Sequence, residues 1–280
     1  MYRIALIIFL VFSTPTINYS QGKLEKAEES LSKKEHQRSG NRSRSRSTNS
    51  NDSEDYQDNF LVEELGFLLV EACLYSTYYI AIESPMEKEF RGSTAAITKY
   101  PYLNANKGNY AYERGEDTGL FRTSFSNRFI IENPKITGNH FNLDIRFLRR
   151  MGFEADYLQL WEENTNFGNN SLAIFTFMAK YHRIRTEKFN AWWGLGTTYI
   201  AREVEELGFA YGLGAEFFFT KPFSLETNFN QTFINKETVN KFNILLNYHV
   251  NRYKISGGYE HLKIGHPNFS TFSVGLGISF

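Results

Sequence analysis

The chain reads as all-β: an antiparallel, up-and-down transmembrane β-barrel of about ten strands, with roughly eight to twelve compatible with the spacing. It is preceded by a disordered polar linker and one helix. Three observations carry this reading. Residues 119–280 are a succession of alternating segments separated by short polar breaks. Aromatics are abundant, with 26 Phe, 17 Tyr and 3 Trp, and they gather at segment ends. The final segment sets Phe272, Val274, Leu276, Ile278 and Phe280 on one face and Ser273, Gly275, Gly277 and Ser279 on the other. Side chains of a strand point to opposite faces with period 2. One face of that strand is therefore large and apolar and the other nearly bare, as expected between lipid and a crowded lumen.

The first twenty residues have the pattern of an export signal. Met1-Tyr2-Arg3 is a short positive start and Ile4–Phe12 an apolar core too short to span a bilayer. Cleavage is expected near Ser20, and no cysteine lies there to make a lipoprotein signal. Residues 21–58 are polar and low in complexity, so they bury too little surface to offset chain entropy and are expected to be disordered. The Arg42–Ser47 run is followed by Asp52, Glu54, Asp55 and Asp58. With 31 basic and 31 acidic residues overall, no global field recruits nucleic acid.

Residues 59–118 read as a periplasmic helix and a connecting segment. Leu61, Leu65, Leu68 and Ala72 share one helical face over 59–82, with Asp58 or Asn59 available as cap. Glu63, Glu64 and Glu71 argue against a membrane span. The helix is expected on the periplasmic rim or at the membrane interface, or alternatively in the lumen. Residues 83–118, rich in turn formers, read as an irregular connection. The lone Cys73 excludes an intramolecular disulfide.

The barrel is expected over 119–280, with strands at 119–131, 138–148, 152–162, 171–184, 189–201, 207–219, 223–234, 239–250, 253–264 and 270–280. Arg149–Met151, Thr186–Lys188, Lys221-Pro222 and Asn251-Arg252 read as tight turns. Glu163–Asn170 and Asn235–Thr238 read as longer connections on the other side. Short periplasmic turns, longer external loops and an even strand number put both termini in the periplasm. Phe147, Phe153, Tyr181, Trp193, Phe219, Phe223, Tyr253 and Phe280 mark one interface. Phe129, Phe141, Trp161, Tyr199, Phe209, Phe233 and Phe272 mark the other. Mean hydropathy is −0.43, which disfavours a helical membrane protein but not a barrel whose strands are half polar.

Charge gathers on the inner face. Arg122, Arg128, Arg146, Lys180, Lys241 and Lys254 face Asp144, Glu154, Asp156, Glu216, Glu226 and Glu260. These twelve are expected to pair across a narrow lumen and largely close it. Inward Gly194, Gly196, Gly212, Gly214, Gly258, Gly275 and Gly277 leave room for long side chains opposite, and equally motivate a narrow pore. A hydrolase needs a nucleophile held by an oriented His. His140, with Asn142 and Asp144 on one face, is the nearest approach; His182 and His249 point inward near the tight turns. No catalytic residue, cofactor site, metal site or phosphate-loop motif is assigned.

The aromatic C-terminal strand resembles that of the outer-membrane β-barrel proteins of Gram-negative bacteria. Trp192–Tyr199 and Gly257–His261 are similar to segments of uncharacterised barrels of that class. The resemblance covers a little over half the chain. It implies export, periplasmic chaperones, insertion by the barrel-assembly machinery and residence in outer-membrane lipid. It implies no activity, since one fold hosts many roles. The expected function is a non-enzymatic structural, anchoring or surface-interaction protein with a charge-filled lumen. The alternatives are a narrow solute pore and, behind it, an outer-membrane hydrolase.

Overall fold

The computed structural model describes residues 22–32, 77–82, 94–103, 107–163, 169–202 and 204–280. In chain order it holds a helix α1 (Lys23–Ser32) and three short strands, β1 (Ala96–Thr98), β2 (Tyr110–Ala111) and β3 (Thr118–Gly119). Ten long strands follow: β4 (Phe121–Asn133), β5 (Ile136–Phe147), β6 (Met151–Glu162), β7 (Asn170–Arg185), β8 (Phe189–Ile200), β9 (Glu206–Thr220), β10 (Phe223–Ile234), β11 (Glu237–Val250), β12 (Tyr253–Ile264) and β13 (Asn268–Ser279). Each long strand pairs antiparallel with its sequence neighbours, and β13 returns to β4 to close the barrel. The strands fall on the ten expected segments, with ends shifted by a few residues.

Closure satisfies every strand edge, which is what a sheet surrounded by lipid requires. The C-terminal strand completes it. Phe280 N donates to Thr123 O at 2.8 Å, while Phe272, Val274, Leu276 and Phe280 stand exposed on the outer wall. Outward rings form ladders across the strands. Phe141, Tyr157, Phe175 and Tyr199 run across β5–β8, and Tyr181 meets Trp193 at the opposite rim.

Two expectations are corrected. Long connections do not alternate regularly with tight ones. Glu237 and Thr238 pair with Ile234 and Phe233, leaving Asn235-Lys236 as a two-residue turn. Asn235 adopts φ 55°, a left-handed conformation that Asn tolerates. The second concerns the span read as linker, part of which is ordered. Leu24, Ala27 and Leu31 lie at i, i+3 and i+7, making a short apolar stripe in an otherwise polar stretch. A ten-residue helix is marginal alone, and this one is held by the barrel. Of the helix expected over 59–82, residues 59–76 lie outside the described residues, and 77–81 is helical.

The two ends of the barrel are called here the near mouth and the far mouth. The near mouth carries residue 119, Phe280 and the turns at 148–150, 186–188, 221–222 and 251–252. The far mouth carries the remaining connections and α1.

Candidate functional site

The lumen is built in three layers, each set by which residue type occupies the inward positions at that depth. The middle layer is ionic and assembles groups far apart in sequence. Arg128 Nε donates to Glu260 Oε1 at 2.7 Å across the β4–β12 gap. His140 sits between two carboxylates: Nδ1 lies 2.5 Å from Glu260 Oε2, and Nε2 meets Asp156. Lys241 crosses the lumen to Asp156 and donates to Thr176 Oγ1 at 2.8 Å. Lys180 joins Asp144 to Glu154, the latter at 2.7 Å, and Arg146 Nε donates to Asp144 Oδ1 at 2.8 Å. Lys254 meets Glu226 at 3.2 Å, both about a quarter exposed. Buried charges persist when paired and hydrogen-bonded in this way, and removing one partner strands the other.

Glu216 and Arg122 are the exceptions among the twelve expected lumen charges, because among the described residues neither meets an oppositely charged Lys, Arg, Asp or Glu within 4 Å. Asn109, from outside the barrel strands, stands between them. Its Nδ2 donates to Glu216 Oε2 at 2.6 Å, and its Oδ1 accepts from Arg122 Nη2 at 2.8 Å. All twelve point into the lumen as alternation requires, but their pairing was not readable from it.

The near layer is filled by residues 94–103 and 107–119, nearly all within the span 83–118 expected to be an irregular connection. β1 pairs with β2 and β3 to make a small sheet inside the mouth. Ala95, Ile97 and Tyr110 are completely buried. Arg122 Nη1 donates to Thr98 O at 3.3 Å, Arg185 Nη1 to Ala95 O at 3.3 Å, and Gly108 N to Glu187 O at 2.6 Å. Gly108 is obligatory here, since a Cβ would stand 2.3 Å from the Phe218 ring. Arg185 reaches inward because the β7 register shifts between His182 and Ile184, reversing the alternation beyond Arg183. Tyr102 packs edge-on against Phe218 and His249 and donates to Thr220 O at 3.1 Å. Burial first, and the Glu216 carboxylate second, push its phenol up to about 12, so it stays a donor.

The far layer is an aliphatic collar that the sequence reading missed. Ile130, Ile136, Leu158, Leu160, Leu172, Ile174, Ile200, Ile234, Val239, Leu262, Ile264 and Phe269 form one buried cluster with Leu24, Ala27 and Leu31 of α1. The signal was present: the last or next-to-last inward position before the far turn is aliphatic or Phe on β4–β8 and β10–β13 (Ile130, Ile136, Leu160, Leu172, Ile200, Ile234, Val239, Ile264 and Phe269). Polar anchors fix the helix. Lys23 N and Leu24 N donate to Glu162 at 3.2 and 2.9 Å, a carboxylate at the helix N-terminus where the dipole favours it. Lys23 Nζ meets Glu132, and Asn235 Nδ2 donates to Leu31 O at 2.7 Å.

Little space remains. Cavities along the lumen measure about 70 Å³ on the near side and about 20 Å³ in the middle and at the collar. The inward glycines do not open a path. A Cβ on Gly212 would lie 2.0 Å from Asn230 Oδ1, and one on Gly214 would lie 2.1 Å from Asn228 Oδ1 and 2.7 Å from Trp192. Neighbouring side chains fold over that wall.

The hydrolase constellation is not assembled. Both His140 nitrogens are engaged by carboxylates, and Asp144 is held by Lys180 and Arg146. A different pair occurs at the near mouth, where Ser224 Oγ lies 2.8 Å from His249 Nε2. Glu216 touches the serine at 2.8 Å and His249 Nε2 only at 4.0 Å, so it does not orient the imidazole through its second nitrogen. Ser224 is completely buried.

On the outer wall, the helical turn at 77–81 ends against the near rim. Arg183 donates to Tyr79 O and Ile80 O at 2.7 and 2.8 Å, and Trp193 Nε1 to Ala81 O at 2.9 Å. Donors on the barrel thus satisfy carbonyls that a helix end leaves open.

No family model matches the chain, and no curated protein matches it. Solved structures do. The COG4313 outer membrane channel from Pseudomonas putida F1 is 9% identical, with a TM-score of 0.40 over 60% of this chain and 99% of that one. The KdgM porin is 10% identical, with a TM-score of 0.37 over 56% and 99%. Ail of Yersinia pestis, in a phospholipid nanodisc, is 15% identical, with a TM-score of 0.34 over 57% and 99%. The chain resembles the outer-membrane β-barrel proteins, and its fold is a closed ten-stranded antiparallel barrel.

Proposed function

We propose that this is a closed outer-membrane barrel whose lumen is a structural core, making the protein a non-enzymatic anchor or surface-interaction protein. One observation carries the reading: all three depths of the lumen are occupied, by β1–β3, by the ionic lattice and by α1 in its collar. The near mouth, with its tight turns and the C-terminal strand, then faces the periplasm and the collar faces outward; α1 and Phe280 lie at opposite mouths, against the expectation that both ends of the chain sit in the periplasm. The exposed apolar face of β13 supports recognition by barrel-assembly machinery and residence in lipid.

The test is electrolyte conductance of the purified full-length protein in planar bilayers. A silent membrane, with insertion verified by protease protection, is expected. Stable open channels would replace this reading with the solute pore.

A further inference from the structure

Arg122 on β4 and Arg146 on β5 are directly opposite partners in the sheet, and both point inward. Directly opposite side chains have Cβ atoms about 4.5–5.5 Å apart, and like charges there repel. Both guanidiniums are buried, at 2% and 8% exposure. Their compensation is incomplete. Arg146 holds Asp144 through Nε alone, and Lys180 shares that carboxylate. Arg122 has only neutral partners, Thr98 and Asn109. Arg122 Nε and Arg146 Nη1 are buried donors without an acceptor. Buried unsatisfied groups are uncommon and call for a specific cause.

Both arginines line the near cavity of about 70 Å³, together with Ser124, Ser126, Asn142 and Asn190. Such a volume holds several waters, or one small polyatomic ion. The cavity wall reaches the rim at Asn251, Arg252 and Ser279, which gives a route from the near mouth. Acids share the wall but have partners. Glu154 is held by Lys180 at 2.7 Å, Glu226 by Lys254 at 3.2 Å, and Glu216 by Asn109 and Ser224 at 2.6 and 2.8 Å. Asp144 already serves two cations.

We propose that this cavity is a binding site for one small oxyanion, gripped by Arg122 and Arg146. An oxyanion would bring acceptors to two facing guanidiniums whose donors are incompletely satisfied, on a wall where Asp144 is already shared by Arg146 and Lys180 and Glu216 reaches Arg122 only through Asn109. Arginine suits it because its planar fork matches phosphate and carboxylate oxygens. The site is independent of conduction and stands whether or not the barrel opens.

The test is calorimetric titration of the full-length protein in detergent with inorganic phosphate and, separately, acetate, against chloride at equal ionic strength. One saturable site is expected for at least one oxyanion, weakened tenfold or more by Arg122→Gln and by Arg146→Gln, and unchanged by Lys99→Gln. The absence of saturable heat with both anions, or equal binding by the arginine variants, would overturn the proposal and leave the cavity to water. Should those variants fail to fold, the wild type decides by thermal unfolding. The oxyanion should raise its melting temperature in a saturable way above chloride at equal ionic strength, and equal melting in oxyanion and chloride would refute the site.

Discussion

Replacing both Leu24 and Leu31 by alanine should undock α1 without unfolding the barrel. Both leucines are completely buried in the collar. A buried Leu→Ala change costs about 2–5 kcal/mol. The two sites lie two turns apart and share no direct contact, so their costs roughly add. Taking the low end, docking weakens by about 4 kcal/mol, a factor of roughly 10³ in the opening equilibrium. The Glu162 and Asn235 anchors remain, so release is an opening equilibrium and not a loss of the helix's place. Hydrogen exchange read by mass spectrometry over 22–32, in detergent, measures that equilibrium directly. Protection there should fall by about 10³-fold, with β4–β13 unchanged. Unchanged protection over 22–32 would mean that the collar does not hold the helix. Parallel loss in the strands would mean that the helix belongs to the barrel's cooperative core and is not a separable stopper.

Three further outcomes follow from the same geometry. Lys241→Met should destabilise the barrel by about 3–5 kcal/mol in urea unfolding, because Asp156 keeps only His140 for company; Lys254→Met, at a pair about a quarter exposed whose Glu226 keeps Asn228 and Asn247 as donors, should cost less. Gly108→Ala should expel the near-mouth sheet, since its Cβ would stand 2.3 Å from Phe218; trypsin should then cut at Lys107 while the barrel stays intact. Gly214→Val should destabilise or block assembly against Trp192, whereas Gly257→Ala, with its nearest contact at 3.7 Å, should be silent in a heat-modifiability gel.

Much of this protein was determined locally, and therefore by its sequence. Whether a residue faces the outer wall or the lumen depends only on strand parity, which a chain carries within a few residues of itself. Ten strands, their outward rings and twelve inward charges were legible for that reason. The exceptions are also local but silent in the pattern: the β7 register shift that turns Arg185 inward, and the tightening of the turn at Asn235.

What fills the lumen was decided only by closure. Arg128 and Glu260 are 132 positions apart, and Lys241 and Asp156 are 85 apart; no periodicity relates them until β13 meets β4. The same holds for the two ends. A ten-residue stretch with three apolar side chains has no stable structure by itself, and becomes α1 because the barrel brings a ring of aliphatics from many strands around it. Residues 96–98, 110–111 and 118–119 become a small sheet because the near mouth offers Arg122, Arg185 and Glu187 to backbone groups that water would otherwise hold.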